Sequence, residues 1–221
     1  MSDERAKRRY NSARRQAQAR ETRRQILEAA RRLFTTLGYA GTTMDALAHE
    51  AGVAVETVYA TFGSKRAVLA RLVDISVLGD DEPTPLLERP NPQRVRMETD
   101  QRRQIRLFAT DMRAIMERVG LLWGVVRAAA PTDPEIAATL QRMLAARRSN
   151  LRAFVQWVER NGPLRAGLST DEATDTVWSV SSAEVHHLLH VDGGWTEERY
   201  ERWLGESLIA LLLPPEESAS S

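Results

Sequence analysis

Thr42–Phe62 reads TTMDALAHEAGVAVETVYATF, two short helix-compatible segments broken at Gly52. Either Thr42 or Thr43 caps the first; if Thr42 does, Asp45 stands at the third helical position, where a carboxylate meets unpaired amides. Met44, Leu47, Ala48 and Ala51 recur at helical spacing. Gly52 adopts the left-handed geometry that ends a helix more readily than any other residue. From about Val55 a second helix buries Val58 and Phe62 and turns Glu56, Thr57, Tyr59, Ala60 and Thr61 outward. Two short helices about a tight glycine turn form the unit that lays its second helix in the DNA major groove. A plain helical hairpin has the same local pattern.

The flanks separate these readings. Around the hairpin stand ILEAARRLFTTLGYAGTTMDALAHEAGV and ETVYATFGSKRAVLARLV, with the densest run at Gly38-Tyr39, Thr42-Thr43, Ala48, Ala51-Gly52-Val53, Thr57-Val58-Tyr59, Phe62 and Ser64-Lys65. On these residues Gln25 to Val73 resembles the DNA-binding domain of the TetR family of transcriptional regulators. The resemblance implies an all-α chain: a three-helix DNA-binding head joined by a linking helix to a helical body that binds a ligand and dimerises. It also implies that Tyr59 and Lys65 hold phosphates. Three positions depart from the family pattern: Ala54 stands where serine is usual, Thr61 where an aromatic or histidine is common, and Gly63 where proline follows the recognition helix. Fewer polar side chains are therefore on offer to bases. Val55 and Thr57 can set methyl groups against thymine, and Glu56 can accept from a cytosine amine. Tyr59, Lys65 and a Thr42 or Thr43 hydroxyl are phosphate anchors, which set register without reading sequence.

Composition agrees with this division. Residues 1–75 carry 14 Lys and Arg against 8 Asp and Glu, a net +6, and the remainder carries 17 against 22, a net −5. A basic head on an acidic body suits DNA. The absence of cysteine excludes disulfides, thiolate metal sites and thiol nucleophiles. No signal-peptide core and no run of ~18 apolar residues is present, so a cytoplasmic protein that makes no use of a membrane is expected.

Residues 1–20 form a basic arm, either disordered or a frayed helical extension, with Arg5, Lys7, Arg8, Arg9, Arg14, Arg15 and Arg20 able to follow a phosphate backbone. Glu21 to Leu37 is a helix striped by Ile26, Ala30, Leu33, Phe34 and Leu37. The head is expected over 21–78, with a linking helix from Lys65 to about Val77. Residues 79–92, with four prolines, form a linker of loop or single turns. The body, 93–214, reads as Thr99 to about Val119, a kink or end at Gly120, then Leu121–Ala130. A long helix capped by Asp133 follows, with Pro134 at its first position and its end at Asn161-Gly162-Pro163. Ser169 and Glu172 have capping-box spacing and open a helix running to Val191, and a last helix begins near Thr196. Residues 215–221 are a flexible tail.

Met112, Met116, Trp123, Met143 and Trp178, with Arg127 as polar anchor, are the candidates for the wall of a small, hydrophobic effector's pocket. Val185, Leu188, Leu189, Trp203, Leu208 and Leu212 are the candidates for a homodimer interface, with intramolecular core as the alternative. His186 and His190 lie four apart, but no HExxH-like acid adjoins them, so neither metal nor cofactor is expected. The reading is a repressor that binds a palindromic operator in double-stranded DNA as a homodimer and is released by its effector. Two other classes compete: a helical enzyme using Glu184 and His186 as acid and base, and an architectural protein binding DNA without sequence preference.

Overall fold

Helices alone build the described residues, which are 2–215 of a computed structural model, with side chains from residue 14. The tail expected at 215–221, Pro215 apart, and the side chains of Arg5, Lys7, Arg8 and Arg9 fall outside them. In order the helices are α1 (Ser2–Gly41), α2 (Met44–Ala51), α3 (Val55–Phe62), α4 (Lys65–Leu78), α5 (Pro90–Met97), α6 (Gln101–Ala129), α7 (Pro134–Asn161), α8 (Thr170–Val180), α9 (Ala183–His187) and α10 (Glu197–Leu212). They form two compact units. One holds Met1–Asp74 with Gly124–Ala137, the other Ile75–Trp123 with Ala138–Ser221. The corner between α6 and α7 thus groups with the head, not with the body to which the sequence reading gave it.

In the first unit α1 starts at Ser2, so the basic arm takes the helical of its two readings, and a positive φ at Gly38 bends the helix before its last turn. Ile26, Ala29, Ala30 and Phe34 bury the inner face of α1, joined by Met44, Leu47 and Ala48 of α2, Val58 of α3 and Val68, Leu69, Leu72 and Val73 of α4. Burying each such aliphatic side chain contributes about 1.5–3 kcal/mol before chain entropy is subtracted.

The second unit is centred on Phe108 and Phe154, whose rings stack at 3.9 Å. Ile105, Met112 and Met116 of α6, Leu151, Val155 and Val158 of α7, Ala173 and Val177 of α8, and Tyr200, Leu204, Leu208 and Leu212 of α10 close around them. The Ser169 capping box forms, its hydroxyl and backbone amide paired with Glu172.

Three elements differ from expectation. Pro90 opens α5, where a loop was expected, because prolines in a first turn sacrifice no helical hydrogen bond. Gly120 neither ends nor divides α6, which runs unbroken for 29 residues; an interior glycine costs only about 1 kcal/mol. The expected helix to Val191 breaks at Ser181–Ser182. Ser182 Oγ accepts from the Val185 amide (3.2 Å) and starts α9, which continues as one wide turn, Leu188–Asp192. The Gly193 amide there donates back five residues to the Leu188 carbonyl (2.9 Å).

Candidate nucleic-acid interface

Thr43, not Thr42, caps α2: its hydroxyl oxygen accepts from the Ala46 amide at 3.0 Å, leaving Asp45 in the first turn. At the other end Gly52 has φ 67° and ψ 33°. Its amide donates to the His49 carbonyl (3.2 Å) and that of Val53 to the Ala48 carbonyl (3.0 Å). This is the Schellman pairing, which satisfies two carbonyls while reversing the chain. Helix α3 then starts at Val55 with no side-chain cap from Ala54.

Val58, fully buried, fixes the roll of α3. Glu56, Tyr59 and Ala60 consequently face solvent, Tyr59 at 52% exposure, with Val55, Thr57 and Thr61 half-buried at the margins. The Thr61 hydroxyl donates to the Thr57 carbonyl (2.7 Å), and Phe62 lies half-buried under the Arg23 guanidinium, 4.8 Å from its ring centre. Gly63 follows with φ 77°. A proline, tied to a φ near −65°, cannot adopt that angle, which gives the family departure at this position a backbone reason.

Two expected anchors are engaged elsewhere. Thr42 is fully buried and its hydroxyl donates to the Gly38 carbonyl at 2.8 Å, so it has no surface for a phosphate. Lys65 Nζ donates to the Tyr39 and Thr42 carbonyls, 2.7 Å each, and sits 4.2 Å over the Tyr39 ring. Partial burial lowers its pKa. Lys65 therefore pins the end of α1 to the start of α4. Tyr39 is held on its other side as well: its hydroxyl donates to Asp133 Oδ2 (3.3 Å), and burial, then the Asp133 charge, push its pKa up to about 12. Asp133 also accepts from the Glu135 and Ile136 amides, as the expected cap of α7, and Arg66 Nε lies 2.8 Å from Glu135 Oε2.

Of the effector candidates, Met112 and Met116 are buried in the core of the second unit, with Trp123 and Trp178 packed at its edge. Met143 is half-buried outside that cluster. Arg127 is exposed, one turn after Trp123 on α6, and groups with the first unit. A guanidinium that meets Trp178 is that of Arg147, missed in the sequence although it stands in helical register between Leu144 and Leu151. It stacks 4.5 Å over Trp178 and donates to the carbonyls of Trp178 (3.1 Å) and Ser181 (3.0 Å), and burial pulls its pKa down to about 10. Among the dimer candidates, Leu208 and Leu212 are fully buried in this chain's own core, which corrects their assignment. Leu188 is 59% exposed, and Val185, Leu189 and Trp203 are half-buried. Of the suggested acid–base pair, Glu184 accepts from Trp123 Nε1 (3.0 Å), and His186 faces Glu197.

A capped helix, a left-handed glycine turn and a second helix with an open outer face define a helix-turn-helix DNA-binding regulator of transcription. Residues 26–72 match the family model described as bacterial regulatory proteins, tetR family. Over 185 residues the chain is 25% identical to the HTH-type transcriptional repressor BepR of Brucella suis biovar 1 (strain 1330), covering 81% of this chain and 86% of that protein. Its fold is similar to that of FadR from Bacillus subtilis, crystallised with stearoyl-CoA, at TM-score 0.68 and 17% identity over 84% of this chain and 97% of the other. SmeT, the repressor of the Stenotrophomonas maltophilia multidrug efflux pump SmeDEF, gives 0.65 and 18% over 89% and 94%. Residues 26–72 thus carry the helix-turn-helix segment of the tetR family, and over most of its length the chain is similar in fold to regulators of that kind.

Proposed function

We propose that this regulator is a repressor that binds a palindromic operator as a homodimer and releases it when a small hydrophobic effector enters the second unit. The observation that carries the reading is the outer face of α3, where Glu56, Tyr59 and Ala60 project beside Val55 and Thr57 from a helix locked by Val58 and the Gly52 turn. Thr43 and Tyr59 are the phosphate anchors of this reading, and Val55, Glu56 and Thr57 meet base edges. The repressor BepR and the acyl-CoA carried by the FadR structure support repression and an apolar effector. Arg147, beside Trp178, joins Arg127 as a polar anchor for that effector. Helices α4, α6 and α7 each contribute residues to both units, so displacement of a helix in the body is carried along its own backbone into the head. A coupling of about 1–3 kcal/mol changes operator affinity roughly 5–150-fold. A cytoplasmic location follows from this role; among the described residues no helix is long and apolar enough to cross a membrane.

Selection from random duplexes tests the reading. Tyr59→Ala is expected to weaken binding about fivefold on every enriched sequence, the worth of one phosphate hydrogen bond. Thr57→Ala is expected to relax one base position and leave the others. Should both variants bind the selected duplex as the parent does, α3 is not the reading helix.

A further inference from the structure

The wide turn after α9 folds back on the first turn of α10 and gathers three metal-ligating side chains that lie apart in sequence. The His186 and His190 rings stack with centres 5.2 Å apart. Both turn an edge to one carboxylate: His186 Nε2 lies 3.2 Å from each Glu197 oxygen, and His190 Nδ1 lies 3.4 Å from Glu197 Oε1. One ligand atom from each of the three falls within 4.8 Å of the others. Helical spacing pairs the two histidines but not the acid, because Glu197 reaches them only through this fold-back.

We propose that His186, His190 and Glu197 form a binding site for a divalent transition-metal ion of the zinc type. Two imidazoles and a carboxylate are the donor set that zinc accepts when one position stays open. With bonds of about 2.0–2.2 Å, tetrahedral ligand atoms stand about 3.3–3.5 Å apart. The contacts of both rings with Glu197 already have that spacing, and small side-chain rotations close the remaining one. His190 Nδ1 now pairs with the Trp195 carbonyl at 2.8 Å, an arrangement in which Nδ1 carries the ring proton; on metal binding the ring gives up that proton, or holds it on Nε2, so that the Nδ1 lone pair is free for the ion and the carbonyl loses this donor. The wall behind is aromatic, fully buried Tyr200 meeting His186 edge-on at 4.7 Å. The lack of cysteine narrows the choice to metals that imidazole and oxygen hold well.

The test is titration of the purified full-length chain with Co2+, read by its visible ligand-field absorption, followed by competition with Zn2+. One ion per chain in a tetrahedral environment is expected. Glu197→Gln and His190→Ala, at side chains that are not fully buried, are each expected to weaken binding at least tenfold with helical content unchanged by circular dichroism. His187→Ala, on the neighbouring exposed face, leaves binding as it was. Absence of an ion-dependent band in the parent overturns the site, as does equal uptake by the parent and the Glu197→Gln and His190→Ala variants. No DNA is involved, so either result leaves the regulatory reading intact.

Discussion

Lys65 is the residue at which two roles separate most sharply. The family resemblance assigns it a phosphate; in the structure its ammonium joins the Tyr39 and Thr42 carbonyls at 2.7 Å each. Hydrogen bonds from a charged donor to groups that lose contact with water are worth about 1.5–3 kcal/mol. Lys65→Met keeps the apolar stem over Tyr39 and removes the donors, so urea unfolding should report a loss of about that size. Operator affinity of the folded fraction should keep its salt dependence. If Lys65 spends its charge on DNA instead, stability stays level and the slope of log affinity against log salt becomes shallower by about 0.9. Tyr59 gives the contrasting case: half-exposed and projecting from α3, it has no comparable part in the core.

At the level of elements, the decisive features are the turns. Gly52 at φ 67° has no atom within 4 Å of where a Cβ would be, so replacing it meets no steric wall and probes backbone geometry alone. Gly52→Ala is expected to cost about 1–2 kcal/mol in thermal or urea unfolding. Gly124→Ala, equally open but inside α6, is expected to gain up to about 1 kcal/mol. Equal effects at the two sites would contradict the left-handed role of Gly52. The same distinction explains what was legible beforehand. The α2–turn–α3 unit, the capping box at Ser169 and the Asp133 cap of α7 rest on residues a few positions apart, so local spacing contains them. Helix α5 was hidden because Pro90 reads as a breaker unless its place in the first turn is known. The break before α9 had a local sign, Ser182 as a second cap, outweighed by the apolar run around it. Glu197 beside His186, and Arg147 beside Trp178, depend on how separate helices fold together, which the spacing within one helix does not contain. Leu208 and Leu212 failed for a related reason: periodicity identifies an apolar stripe on α10 without saying whether this chain or a second copy covers it.

For the whole molecule the remaining question is what covers the apolar side chains that its own core does not. Leu188 is 59% exposed on the wide turn, and Leu211 is 41% exposed on α10, whose opposite face is buried. One α3, eight residues long with three outward side chains, is small beside the roughly 1,000–2,500 Å² of protein surface that specific DNA complexes bury. Pairing two copies through the Leu188 and Leu211 faces would remove apolar surface from water and present two reading helices to half-sites about one DNA turn apart. A carboxylate in such an interface has no partner and must be desolvated, which costs several kcal/mol, whereas on a free surface it costs little. Leu188→Glu with Leu211→Glu should therefore leave the helical content and the melting of each unit nearly unchanged while sedimentation shifts from dimer to monomer. Affinity for a palindrome should fall at least 100-fold, since the second head no longer binds at the effective concentration set by the first, and affinity for a single half-site should stay as it was. A double variant that still sediments as a dimer would move the interface to another face of the second unit; a parent protein that is monomeric and still holds the palindrome tightly would remove pairing from the mechanism altogether.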